Sequence, residues 1–152
     1  MLYHLDDLAG AVCEARRVLR EGGRFTAVVN REQPYPYLMA LLREVLAGHG
    51  ITPPPSPDER VHGGNLPAFV AAGFAPDTIR VLRRDNALLF PGPEPVVAYL
   101  ASILTLQGVP DDPDLHRAIT ADLDKAARAR FRTLSDGIWR EPKGYVVVTA
   151  TA

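Results

Sequence analysis

An amphipathic helix that stops on a pair of glycines and leads straight into an apolar strand constrains this chain more than any other feature. Leu8, Val12, Ala15 and Leu19 recur at helical spacing, and Ala11 and Val18 widen the stripe. Asp6 or Asp7 stands where a carboxylate accepts the free N–H groups of a first turn. Arg16, Arg17 and Arg20 occupy the last turns, where cations oppose the negative end of the helix dipole. Gly22-Gly23 then supplies a left-handed stop. Arg24-Phe25-Thr26-Ala27-Val28-Val29-Asn30 reads as a strand apolar on both faces, the pattern of a strand covered from two sides. Helix, glycine stop and buried strand are half of a βαβ unit, so the expected class is α/β.

The rest of the chain fits that class. Tyr35 to Gly48 reads as a helix with Tyr35, Leu38, Leu42, Val45 and Leu46 on one side, and Thr52-Pro53-Pro54-Pro55-Ser56-Pro57 as extended, polyproline-like chain. Asn65 to Ala72 predicts a short helix capped by Asn65, and Thr78 to Phe90 a strand with a bend or bulge at Asp85-Asn86. Helices are predicted from Pro93 to Leu106 and from Asp114 to Leu134, and a closing strand from Gly144 to Ala150. With 152 residues and no evident linker, a single domain is expected. A net charge of -1 argues against a general nucleic-acid binder. No apolar run approaches the roughly 20 residues of a membrane span. One cysteine, Cys13, excludes an internal disulfide and points to a reducing, cytoplasmic setting.

Two stretches carry a resemblance. Met1-Leu2-Tyr3-His4-Leu5-Asp6-Asp7, followed by Arg17-Val18-Leu19-Arg20-Glu21-Gly22-Gly23-Arg24-Phe25, is similar to the second half of a class I S-adenosylmethionine-dependent methyltransferase of the type 11-like kind. The later segments follow the family's order. Leu66 to Phe74 looks like the helix before the sixth strand, Ile79 to Phe90 like that strand, and Tyr145 to Ala150 like the final antiparallel one. The resemblance therefore implies the C-terminal half of a Rossmann-like fold. Its small mixed sheet would combine a parallel strand with an antiparallel final hairpin, flanked by helices, in one partial domain over 1–152. Residues 31–63 and 91–143 match only as the insertions that form a substrate cap. The implied activity is methyl transfer from S-adenosylmethionine to a small-molecule acceptor. The family's glycine-rich turn after a first strand and its acidic ribose-binding residue have no counterpart, since no Gly-x-Gly follows a strand here. The chain alone is accordingly expected to bind no cofactor and to be inactive. The alternative is a non-catalytic remnant that dimerises or binds a partner.

By the same resemblance Leu2, Tyr3 and His4 would lie beside the cofactor, and His4 could accept a proton from the nucleophile during methyl transfer. The competing reading is a frayed terminus without a role. Tyr35, Tyr37 and Leu38 would line an acceptor pocket, or else simply pack an amphipathic helix on the core. Asp6 and Asp7 are better explained as helix caps than as an acid pair, and Cys13 as an idle thiol. No metal site is expected: His49 and His62, with Asp58 and Glu59 between them, are split by prolines, whereas zinc needs convergent ligands. His62-Gly63-Gly64-Asn65 has the form of an anion cradle, yet a turn with an N-cap suffices to explain it. Without a fourth strand beside it, Phe25 to Val29 would leave an apolar sheet edge, and a homodimer through that edge is the expected association.

Overall fold

The Asp7 side chain caps helix α1 (Leu8–Val18), accepting the Gly10 N–H at 2.8 Å. Leu8 and Val12 point into the core, whereas Val18 is 62% exposed and takes no part in the buried stripe. Gly22 takes a left-handed φ of 73°. Strand β1 (Arg24–Asn30) follows. These elements belong to a computed structural model that describes residues 2–56 and 59–152. Pro57 and Asp58, which bear on the expected extended segment and on the discounted metal site, lie outside the described residues.

The fold is mixed α/β. Helices α2 (Pro36–Gly48) and α3 (Leu66–Val70), strand β2 (Arg80–Phe90), helices α4 (Pro93–Ser102) and α5 (Pro113–Phe131) and strand β3 (Trp139–Thr151) complete it. The described strands form one antiparallel sheet in the order β1-β3-β2, so β3, the last in sequence, lies in the middle. No parallel strand pair is present among the described residues, which corrects the expectation of a mixed sheet. The physical reason is the topology: β3 separates β1 from β2 and runs against both. β1 and β3 pair from Arg24–Thr151 to Asn30–Tyr145.

Two compact units share the chain. The first takes residues 1–34, 56–86 and 143–152, the second 35–55 and 87–142, so the chain passes between them without a dedicated linker. In the first unit, Leu8, Val12, Leu66, Val70 and Phe74 pack on Ala27 and Val29 of β1 and on Val146, Val148 and Ala150 of β3. β1 is therefore covered on one face only. Arg24, Thr26 and Val28 are exposed, Val28 at 60%, so the strand expected to be buried on both sides is half-buried. The alternation explains this, since successive side chains leave a strand on opposite faces and the described helices of this unit pack on one. Asn65 also departs from expectation. It makes no side-chain cap to α3, and instead accepts the His62 N–H and donates to the Arg60 carbonyl, closing the turn that precedes the helix. β2 runs through Asp85-Asn86 without the expected break.

The second unit is a helical core of its own. Leu38, Leu42 and Leu46 of α2 meet Val96 and Leu100 of α4 and Ile119, Leu123 and Ala127 of α5. Each fully buried leucine contributes roughly 1.5–3 kcal/mol of apolar burial. β3 begins five residues earlier than the sequence pattern predicts, at Trp139 rather than Gly144. That extra turnless stretch brings in Glu141, a carboxylate with zero exposure. Its Oε1 accepts the Tyr37 N–H at 2.8 Å, and its Oε2 accepts the Leu38 N–H at 3.1 Å and the Trp139 Nε1–H at 2.7 Å. Glu141 thus caps the start of α2 from another element, where Tyr35 offers no side-chain cap and itself sits at a left-handed φ of 58°.

Burial pushes the Glu141 carboxyl above the usual carboxylate range, against the pull of its three donors. A group with a raised pKa in the folded state contributes stability that is complete below its unfolded pKa and lost as the pH rises through the folded one. Trp139 is the single tryptophan of the chain, so its fluorescence follows this core. We expect the urea midpoint read by that fluorescence to fall as the pH rises through the shifted Glu141 pKa, and Glu141→Gln to flatten the fall. Glu141→Ala, which strands three buried donors, is expected to cost about 2–4 kcal/mol in the same unfolding experiment.

Candidate functional site

In the first unit the ladder between β1 and β3 runs one pair beyond the strand, because the Arg31 N–H donates to the Gly144 carbonyl at 3.1 Å. Beside that bond a cleft of about 280 Å³ opens. Arg31, Gly63, Gly64, Arg83, Asp85 and Tyr145 are among the residues that line it. The site lies at the carboxyl end of β1, beside the Tyr145 end of its pairing with β3.

Side-chain direction follows from the pleat. A Cβ added to Gly144 would stand 3.2 Å from both Arg31 Cδ and Asp85 Oδ1, so these two side chains lie across the glycine. Arg83, two residues from Asp85, shares that face; Arg84 leaves the other, with its Nη1 donating to the Arg83 carbonyl at 3.3 Å. Arg31 Nη1 meets Asp85 Oδ1 at 3.4 Å, a long contact between exposed groups. Glu32 lies against Gly64, where any Cβ would run into its Oε1, and sits 4.0 Å from His62 Nδ1. The face thus carries the guanidinium groups of Arg31 and Arg83 with the carboxylates of Glu32 and Asp85, while Arg84 lines the cleft with its backbone carbonyl. Among the described residues no ion pair engages Arg83 or Arg84.

The loop over the cleft is occupied with itself. Gly63 donates its N–H to the Asn30 carbonyl at 2.9 Å, and Gly64 donates to His62 Nδ1 at 3.1 Å. These amides are spent in the turn, so the positive character of the cleft comes from side chains rather than from backbone N–H groups.

Of the residues singled out in the sequence, Gly63 and Gly64 line the cleft, while those implied by the resemblance lie elsewhere. Leu2 to His4 form a short 3₁₀ turn. Leu2 and Tyr3 pack against the first core, and exposed His4 keeps its ring 4.5 Å from that of Tyr3. None of the three lines the cleft. Tyr35, Tyr37 and Leu38 stand at the start of α2 in the second unit. Tyr35 has its ring 5.8 Å from Tyr99, Tyr37 is 50% exposed and Leu38 is fully buried. Cys13 is exposed, its thiol 3.4 Å from the Ala72 carbonyl. His49 pairs with Asp122 at 3.1 Å. Lys125 first and His49 second hold the Asp122 carboxyl below its usual range. No three His, Cys, Asp or Glu side chains converge among the described residues.

An adenosyl cofactor of the kind the resemblance implies needs a glycine-rich turn at the end of a strand. β1 runs into Arg31-Glu32-Gln33 and β2 into Pro91-Gly92-Pro93, and neither is a glycine-rich turn that lets backbone approach the cofactor. No model of a known protein family matches the sequence, and no curated protein matches it. No described helix is long and apolar enough to cross a membrane.

Arg31, Arg83 and Asp85 escaped the sequence reading. Their signal was the acid–base pair Arg31-Glu32 directly after a strand, together with the Arg83-Arg84-Asp85 run on an otherwise alternating one. Gly144 holds the cleft together, since a Cβ there would also stand 2.9 Å from the Arg84 carbonyl, which is backbone and cannot swing away. Gly144→Ala is expected to destabilise the protein by about 1–3 kcal/mol in chemical unfolding and to broaden the amide signals of Arg31 and Asp85.

Proposed function

We propose that these residues form the acceptor-side part of a class I methyltransferase fold, whose complete form moves a methyl group from S-adenosylmethionine to a small molecule in the cytoplasm. One observation carries the reading. The resemblance requires the strand at Arg24–Asn30 to lie antiparallel beside the final strand, and the ladder runs from Arg24–Thr151 to Asn30–Tyr145. A second observation supports it. The two segments read as cap insertions, 31–63 and 91–143, supply most of the unit made of 35–55 and 87–142, which has a core of its own. Neither β1 nor β2 leads into a glycine-rich turn, so the reading assigns the adenosyl pocket to chain outside the described residues.

Two measurements test this. Calorimetry of the 152 residues with S-adenosylhomocysteine is expected to show no saturable heat. The codons in frame ahead of Met1 are expected to encode a strand followed by Gly-x-Gly-x-Gly, and the protein carrying that leader to bind the same ligand. Tight binding by the 152 residues alone, or a leader without the motif, overturns the reading.

A second reading, a dimerising module, has its own observation. The Arg31–Gly144 and Gly23–Ala152 bonds set the alternation of the ladder, so Phe25, Ala27 and Val29 bond to β3 while Thr26 and Val28 turn their backbone groups to the free edge. Thr26 and Val28 are also exposed on the open face, which leaves an apolar edge without a proline. Light scattering is expected to give twice the 16.6 kDa chain mass, and Val28→Lys to return it to one. A monodisperse wild-type monomer removes this reading.

A further inference from the structure

We propose that the cleft at the end of β1 binds the oxyanion group of a small molecule, clamped between the guanidinium groups of Arg31 and Arg83. Arg31 directly follows β1 and Arg83 belongs to β2, yet both line the cleft, where Gly144 leaves the space beside Arg31 and Asp85 open. Arg31 spends one N–H on a long, solvent-exposed contact with Asp85. Arg83 meets no acidic partner among the described residues. Each guanidinium presents five donors in a fixed fork that matches the paired oxygens of a carboxylate or a phosphate. An arriving oxyanion would displace the weak Asp85 contact and satisfy donors that otherwise face water.

Size and charge narrow the ligand. The cavity, about 280 Å³, lies near the lower end of ligand pockets, which run from roughly 300 to 1,000 Å³. It suits the charged end of a small metabolite, not a polymer. Glu32, lying on Gly64, limits how much negative charge the cleft accepts and places its own carboxylate on the opposite wall. Two guanidiniums beside two carboxylates leave no large positive excess, so the cleft suits a single anionic group rather than a polyanion.

This inference rests on the cleft alone and stands or falls apart from methyl transfer. The test follows the backbone amide signals of the full chain by two-dimensional NMR during titration with inorganic phosphate and, separately, with acetate. Sodium chloride at matched ionic strength is the control. Saturable shifts at Arg31, Gly63, Gly64 and Tyr145 are expected from at least one of the two anions, and which one binds tighter assigns the ligand class. Arg83→Gln, at an exposed position, is expected to weaken that binding roughly tenfold. Arg17→Gln, whose side chain pairs with Glu14 far along the sequence, is expected to leave it unchanged. Unaltered Trp139 fluorescence in both variants shows that the helical core is intact. Equal shifts with chloride, no saturation with either anion, or full binding by Arg83→Gln overturns the proposal.

Discussion

The antiparallel ladder between β1 and β3 is the constraint from which the first unit follows. Its register decides which side chains face the helices and which face water, because a slip of one residue would exchange the two sets. With Val29 opposite Val146 and Ala27 opposite Val148, the small and branched residues of both strands meet Leu8, Val12, Leu66 and Val70. The same register brings Arg31 beside Gly144, the one residue type that lets Arg31 and Asp85 cross the strand. Core and cleft thus adjoin along a single pairing and share Val146.

Local chemistry was readable in the sequence and non-local chemistry was not. The stripe of Leu8 and Val12, the Asp7 cap and the α2 face of Leu38, Leu42 and Leu46 depend on neighbours three or four residues away, and each is found as expected. The burial of β1 on both faces was misjudged because a run such as Phe25-Thr26-Ala27-Val28-Val29 satisfies two-sided and one-sided burial equally well. Only the elements packed on the sheet decide, and in this unit Leu8, Val12, Leu66, Val70 and Phe74 meet Ala27 and Val29 on one face. Asn65 was misread for a similar reason, since a residue with cap chemistry found a better use two bonds upstream in the turn of His62.

Glu141 shows the limit most clearly. In sequence it is one carboxylate among charged neighbours, in Arg140-Glu141-Pro142-Lys143, and such a run reads as a solvated face. Its meaning comes from the start of α2, whose first N–H groups lack a cap from Tyr35 and are met by Glu141 from across the fold. A buried carboxylate without partners would be costly, and three donors on its two oxygens offset that cost. The polar interior of this unit is therefore a helix cap supplied at long range, and the tryptophan at Trp139 belongs to the same arrangement through its indole N–H.

The distribution of paired and unpaired cations separates surface decoration from a site. In the second unit, Arg117 meets Asp114, Lys125 meets Asp122, Arg128 meets Asp124 and Arg140 meets Asp136, all within three or four residues along the chain. Exposed pairs of this kind contribute little, because water and salt screen them, and their geometry follows from sequence spacing alone. Arg31 and Arg83 differ in kind. They lie fifty-two residues apart in sequence, line one cleft, and have between them a single contact of 3.4 Å to a carboxylate. A single long, exposed contact neutralises charges that tertiary structure, not sequence spacing, has gathered, and their planar forks remain open to solvent.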